Sequence, residues 1–198
     1  MSRADERAGP GRWGVALRGL LAQLRAWFVL GPIALAVVFS FLAATGRFVP
    51  DKDSLESLAV WVLAIASGLA VVRLLLSREV FFAWGAAVLV TLLSREVHFF
   101  GTDVGVYLGL ALLGFLTLQY YDRLEVYLAQ PFVVNAFAMT FLCFVISTTL
   151  DQRFWRVRSW WPGIPGEQDF HVEVEEIMEV AGHLFASAAV LLARRRRG

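Results

Sequence analysis

The chain has a single cysteine, Cys143, among 198 residues. That excludes a disulfide framework and a cysteine-built metal cluster. It has three histidines, none paired as His-x-x-x-His and none in a His-Glu-x-x-His helix. There is no Gly-rich phosphate loop, no Gly-x-Ser-x-Gly and no nucleic-acid module. Charge is scarce as well: 18% of residues, with a net of +1, so no global field draws a polyanion. No long polar linker divides the chain, which points to one compact domain. What remains is apolar. Hydrophobic residues make up 58% of the chain and the mean hydropathy is +0.63. That is too hydrophobic for an ordinary soluble domain and fits a membrane bundle.

Residues 1–26 form a polar N-terminus followed by a candidate interfacial helix. In Val15–Ala26, Leu17, Leu20, Leu21 and Leu24 make a stripe with Arg18 and Arg25 off it. That pattern suits a short basic amphipathic helix on a membrane surface, or an extension of the first span. Residues 27–198 form the membrane domain. Six apolar segments there approach the ~20 residues a span needs. They are Trp27–Ala44, Leu58–Leu76, Val80–Ser94, Asp103–Tyr121, Phe132–Leu150 and Val174–Ala193. Only Ser77-Arg78-Glu79 parts the second from the third, so five spans with a re-entrant hairpin is the alternative topology. The fold class is therefore all-α, a polytopic bundle of six transmembrane helices.

Orientation follows from Lys and Arg. With six spans, one side holds the N-terminal arginines, Arg73, Arg78, Arg123 and Arg194–Arg197. The other holds Arg47, Lys52, Arg95, Arg153, Arg156 and Arg158, half as many. Both termini are thus expected in the cytoplasm.

One stretch conflicts with the apolar pattern. Glu173-Val174-Glu175-Glu176-Ile177-Met178-Glu179-Val180-Ala181-Gly182-His183 opens the last segment. At about 100° per residue, Glu176, Glu179, His183 and Ser187 share one helix face. Counted back from Ala193 at ~1.5 Å per residue, His183 lies roughly 15 Å deep in a ~30 Å hydrocarbon core. Lipid offers such groups no partner, so an ionisable residue at that depth marks a candidate functional site. The same topology brings Glu96, His98, Asp103 and Asp151 to the outer side. The loop Arg153–Gly166, rich in Trp and Arg, could roof them from the headgroup layer.

Three chemistries compete for this cluster. Glu179, His183, Glu176, His98, Asp151 and Glu96 could supply nitrogen and oxygen ligands to a divalent metal such as zinc. A metal with an open position could activate water against a lipid ester or amide, a membrane hydrolase. Alternatively the carboxylates and His183 bind a proton or another cation. Conduction by so small a bundle would call for a homo-oligomer. The third reading is structural: Glu175, Glu176 and Glu179 pair with Arg95, Arg153, Arg156 or Arg158 in a non-catalytic scaffold or subunit.

Arg95-Glu96-x-His98-Phe99, then Asp151, then Glu175-Glu176-x-x-Glu179, resembles the pattern of small multi-span bacterial inner-membrane proteins without an assigned role. The likeness runs from about the third span to the C-terminus and implies a membrane location. Ceramidase-like membrane hydrolases, whose zinc site uses several histidines, offer only a chemical analogy. The expectation is a multi-pass inner-membrane protein in contact with membrane lipids and not with nucleic acid. Its outer-leaflet Glu/His/Asp site would take a cation, metal or proton.

Overall fold

The computed structural model describes residues 11–45, 47, 50–97, 102–151 and 167–195. Among them the chain is all helical. The elements are α1 (Gly11–Leu21), α2 (Ala26–Ala44), α3 (Lys52–Ser77), α4 (Val80–Glu96), α5 (Thr102–Gln119), α6 (Tyr121–Leu128), α7 (Pro131–Asp151) and α8 (Glu167–Leu191). Each of the six apolar segments is a helix. The sequence reading placed no helix at α6.

Two sets of contacts define the ends of the bundle. At one end, Lys52 of α3 lies 3.4 Å from Glu176 of α8. At the other, Arg73 of α3 donates to the carbonyls of Leu191 and, at 3.0 Å, Ala193. α3 and α8 therefore run parallel, and Arg73 satisfies carbonyls that the end of α8 leaves unpaired. α4 starts at the Arg73 end, where Glu79 Oε1 lies 2.8 Å from Arg195 Nη1. α7 starts there too, with Gln130 bonded to the backbone of Arg194. α2 begins beside α7, and the six long helices alternate up and down. Among the described residues, three segments are long and apolar enough to cross a membrane: Ala26–Ala43, Lys52–Ser77 and Pro131–Leu150.

Local chemistry explains the breaks. Asp51 caps α3, its carboxylate accepting from Ser54 N at 3.2 Å. α3 stops at Arg78, which adopts the left-handed conformation with φ 55° and donates its N–H to Leu74 O at 2.7 Å. That residue separates α3 from α4. Pro131 opens α7, a first-turn position where its missing N–H costs nothing. α1 is separate from α2. Fully buried Asn135 holds the break between them, accepting from Arg25 N at 2.8 Å and donating to Gln23 O at 2.9 Å.

Between helices, packing rather than the hydrophobic effect gives cohesion in a lipid setting. α4 comes close to α8 at Gly85, where an added Cβ would sit 2.6 Å from Val190 Cγ1. A Cβ added to Gly182 of α8 would lie 3.3 Å from Cys143 Cβ of α7, and one added to Gly109 of α5 would lie 3.1 Å from Thr91 of α4, while one added to Gly105 would meet nothing within 4 Å among the described residues. At the Arg73 end, Tyr127 of α6 stacks on Phe81 with ring centres 4.5 Å apart, and Arg73 lies 4.2 Å over Phe82. α6 thus acts as a plug against the start of α4.

Candidate functional site

The polar groups of α8 lie where four helices meet. Glu176, Glu179, His183 and Ser187 are all buried on one face, as the helical spacing requires. Each meets a different neighbour.

Glu179 is held by two partners. Arg95 Nη2 of α4 donates to its Oε1, and Ser147 Oγ of α7 donates to the same oxygen at 2.7 Å. The carboxylate therefore ties three helices together. Arg95 is a third exposed and also lies 5.5 Å over the Phe144 ring.

His183 is 0% exposed. Its Nε2 lies 3.1 Å from Glu96 Oε1, close enough for an ion pair but out of line for a hydrogen bond. Within the described residues neither ring nitrogen is hydrogen-bonded. Phe144 packs edge-on against the imidazole at 5.3 Å, so it stands between the Arg95–Glu179 pair and the His183–Glu96 pair.

Glu176 lies nearer the end of the bundle and pairs with Lys52, the only lysine in the chain. Lys52 also lies 3.3 Å from Glu56, one turn further along α3. One turn below His183, the Ser187 hydroxyl is buried without a partner, as is that of Ser67 on α3.

The length of α4 explains where its charges fall. Its 17 residues span about 25 Å. With its start anchored by Glu79 and Phe81, its last residues Arg95 and Glu96 end inside the bundle, beside α8.

Of the six candidate ligands, the structure brings Glu179, His183, Glu176 and Glu96 to the same end of the bundle. Asp151 closes α7, but its side chain and all of His98 lie outside the described residues, as does the loop 153–166. Among the described residues no three His, Cys, Asp or Glu side chains are grouped as a metal ion would need. Sequence reasoning left Lys52 out of the site. The signal was present, because the orientation count puts Lys52 on the same side as Glu176. Ser147 had no such signal, since nothing in the sequence aims its hydroxyl at Glu179.

Beside the cluster, a half-open cavity of about 430 Å³ lies between α4, α5 and α7, with Arg95 and Phe144 in its wall. The fold and site define an all-α protein with membrane-compatible helices and buried charged residues. The chain matches no protein-family model and has no significant similarity to a curated protein or a solved structure.

Proposed function

We propose that the chain is a six-span protein of the bacterial inner membrane with both termini in the cytoplasm. In this reading His183 and Glu96 form a buried proton-binding site in its outer half. The alternation of six helices and the excess of arginine at the Arg73 end support the topology.

The observation that carries the site is the His183 side chain. A fully buried imidazole with no hydrogen bond is costly unless something compensates it. The compensation in reach is a carboxylate oxygen 3.1 Å away. A proton on the ring turns that contact into a charged pair, and its loss leaves the Glu96 carboxylate beside a neutral ring. The pair therefore binds a proton as a unit, with occupancy set by access from the outer end. Glu179 serves a different role. Held by Arg95 and Ser147, it braces the helices around the pair. A divalent metal would need ligands from His98 or Asp151 in addition to His183 and Glu96.

The test is nitrogen-15 NMR of histidine-labelled protein in lipid nanodiscs, with His183→Gln to assign the signal. The expected result is a His183 ring doubly protonated in acidic samples and singly protonated in alkaline ones, with the change altered in Glu96→Gln. A ring in one form throughout, or unaffected by Glu96→Gln, refutes the pair. Elemental analysis of the same sample separates the two cations: stoichiometric metal lost in His183→Gln would replace the proton reading with a metal site.

A further inference from the structure

A buried hydroxyl on a helix needs a partner, and the usual one is the carbonyl four residues back. Ser77 donates to Arg73 O at 2.7 Å in this way, Thr91 to Ala87 O at 2.8 Å, and Thr140 to Ala136 O at 2.9 Å. Ser67 of α3 and Ser187 of α8 do not take that bond. Each is 7% exposed, and each hydroxyl lacks a partner among the described residues.

The two serines lie at one level. α3 packs on α8, and Arg73 ties the two by donating to Ala193 O. Ser67 lies six residues before Arg73, and Ser187 lies six before Ala193. At ~1.5 Å per residue, both sit about 9 Å from that tie. Leu63, Ala66 and Ala70 around Ser67 belong to the same buried cluster as Ala186 and Val190 around Ser187. His183 is one turn further along α8, and side chains four apart on a helix are neighbours. Its Nε2 is turned to Glu96, and Nδ1 is also without a hydrogen bond. Three unsatisfied polar groups from two helices therefore lie within about one turn of each other along the bundle.

Their chemistry selects the ligand. A hydroxyl can donate or accept, and Nδ1 donates when protonated and accepts when bare. A partner that suits all three must do both. It must also be small, because Ala66, Ala70 and Ala186 place it between closely packed helices. A buried water meets these terms, and such waters make about three hydrogen bonds to groups otherwise unsatisfied.

We propose that Ser67, Ser187 and His183 Nδ1 bind an internal water molecule, on the side of the imidazole away from Glu96. The role of this water rests on the proton reading of His183, whereas its binding does not. Water donates to a bare Nδ1 and accepts from a protonated one. The ring thus keeps a partner in both states, and no side chain has to move when the proton comes or goes. Glu96 serves one ring nitrogen and the water serves the other.

The experiment is water-edited solid-state NMR of the full chain, labelled with nitrogen-15 histidine, in lipid bilayers. Magnetisation starts on water protons and is read on the His183 ring nitrogens, assigned with His183→Gln. Wild type is expected to show transfer to Nδ1. Ser67→Ala/Ser187→Ala should lower it several-fold at wild-type helicity. Each single variant keeps one hydroxyl and should give an intermediate value, which decides the matter if the double variant does not fold. Absence of transfer in wild type means a dry ring and overturns the site. Full transfer in the serine variants means that water arrives from the Glu96 side, and overturns it too. Serine-dependent transfer to a ring that never changes protonation keeps the water and refutes the proton reading instead.

Discussion

The Arg95–Glu179 pair makes a quantitative prediction, because two effects of opposite size bear on it. Removing one partner of a fully buried ion pair costs about 3–5 kcal/mol, since the other charge is left unpaired. Interhelical polar contacts in membranes average only ~0.6 kcal/mol, with a maximum near 1.7. Glu179 is 7% exposed, which argues for the larger figure. Arg95 is a third exposed and Ser147 still donates to the carboxylate, which argues for the smaller. Arg95→Met should therefore destabilise the bundle by ~2 kcal/mol, with Glu179→Gln costing less because an amide oxygen keeps the Ser147 bond. In the double-mutant cycle the coupling should be about 1.5 kcal/mol, at the upper end for membrane contacts. The assay is reversible unfolding in mixed micelles of mild detergent and dodecyl sulfate, followed by circular dichroism. Coupling below ~0.5 kcal/mol would show that the pair is a surface contact screened by solvent, and would remove Glu179 as the brace of the site.

Other predictions test the frame around it. Gly85→Ala puts a methyl 2.6 Å from Val190 Cγ1 and should cost ~1–3 kcal/mol, largely recovered by adding Val190→Ala; equal stability of Gly85→Ala and wild type would mean that α4 and α8 are not in close contact. Arg78→Gly should stabilise by about 1 kcal/mol, because glycine adopts φ 55° without strain, whereas Arg78→Val should do the reverse; the melting temperatures of the two variants decide. Asn135→Leu removes the clamp on residues 22–25 and should speed tryptic cleavage after Arg25 several-fold with the rest of the bundle intact, so unchanged cleavage would show that α1 is held by other contacts. A membrane-impermeant amine reagent should label Lys52, half exposed and the only lysine, in intact cells; labelling only after lysis would invert the proposed orientation.

Much of the fold is written in the apolar pattern, and the limits of that pattern are physical. Runs of near-span length become helices because no other structure satisfies their backbone in lipid. The boundaries depend on shorter-range chemistry. The helix break at Arg78 has neither Gly nor Pro to announce it, and the left-handed residue there is an arginine held by its own N–H bond to Leu74. α6 is eight residues of mixed polarity, and it is a helix because Tyr127 and Leu124 find a buried surface on α4. Nothing in residues 121–128 alone states that such a surface exists. In the site, the periodicity of α8 puts Glu176, Glu179, His183 and Ser187 in line. The partners cannot be found that way. Whether Glu179 meets Arg95 or a loop arginine depends on how far α4 reaches and on which face it turns to α8, and both are tertiary quantities.

The length of α4 then becomes the organising fact of the candidate site. In the proposed six-span topology a helix of full span would carry Arg95 and Glu96 to the headgroup layer, where water competes for both and an ion pair contributes little. At 17 residues, anchored by the aromatic cluster of Phe81, Phe82 and Tyr127, α4 delivers them inside the bundle instead. There the two charges cannot remain alone, and α8 supplies a carboxylate to one and an imidazole to the other. Adjacent residues on one helix are turned about 100° apart, so Arg95 and Glu96 meet α8 at different residues, Glu179 and His183. That divergence separates a bracing pair, with a hydroxyl to complete it, from a pair whose imidazole has no hydrogen bond. It also leaves the Arg95 side facing the cavity between α4, α5 and α7. Lengthening α4 by one turn of alanine and leucine before Arg95 should therefore abolish both effects together: the His183 protonation change and the Arg95–Glu179 coupling. Loss of only one would show that the two pairs do not depend on the reach of this helix.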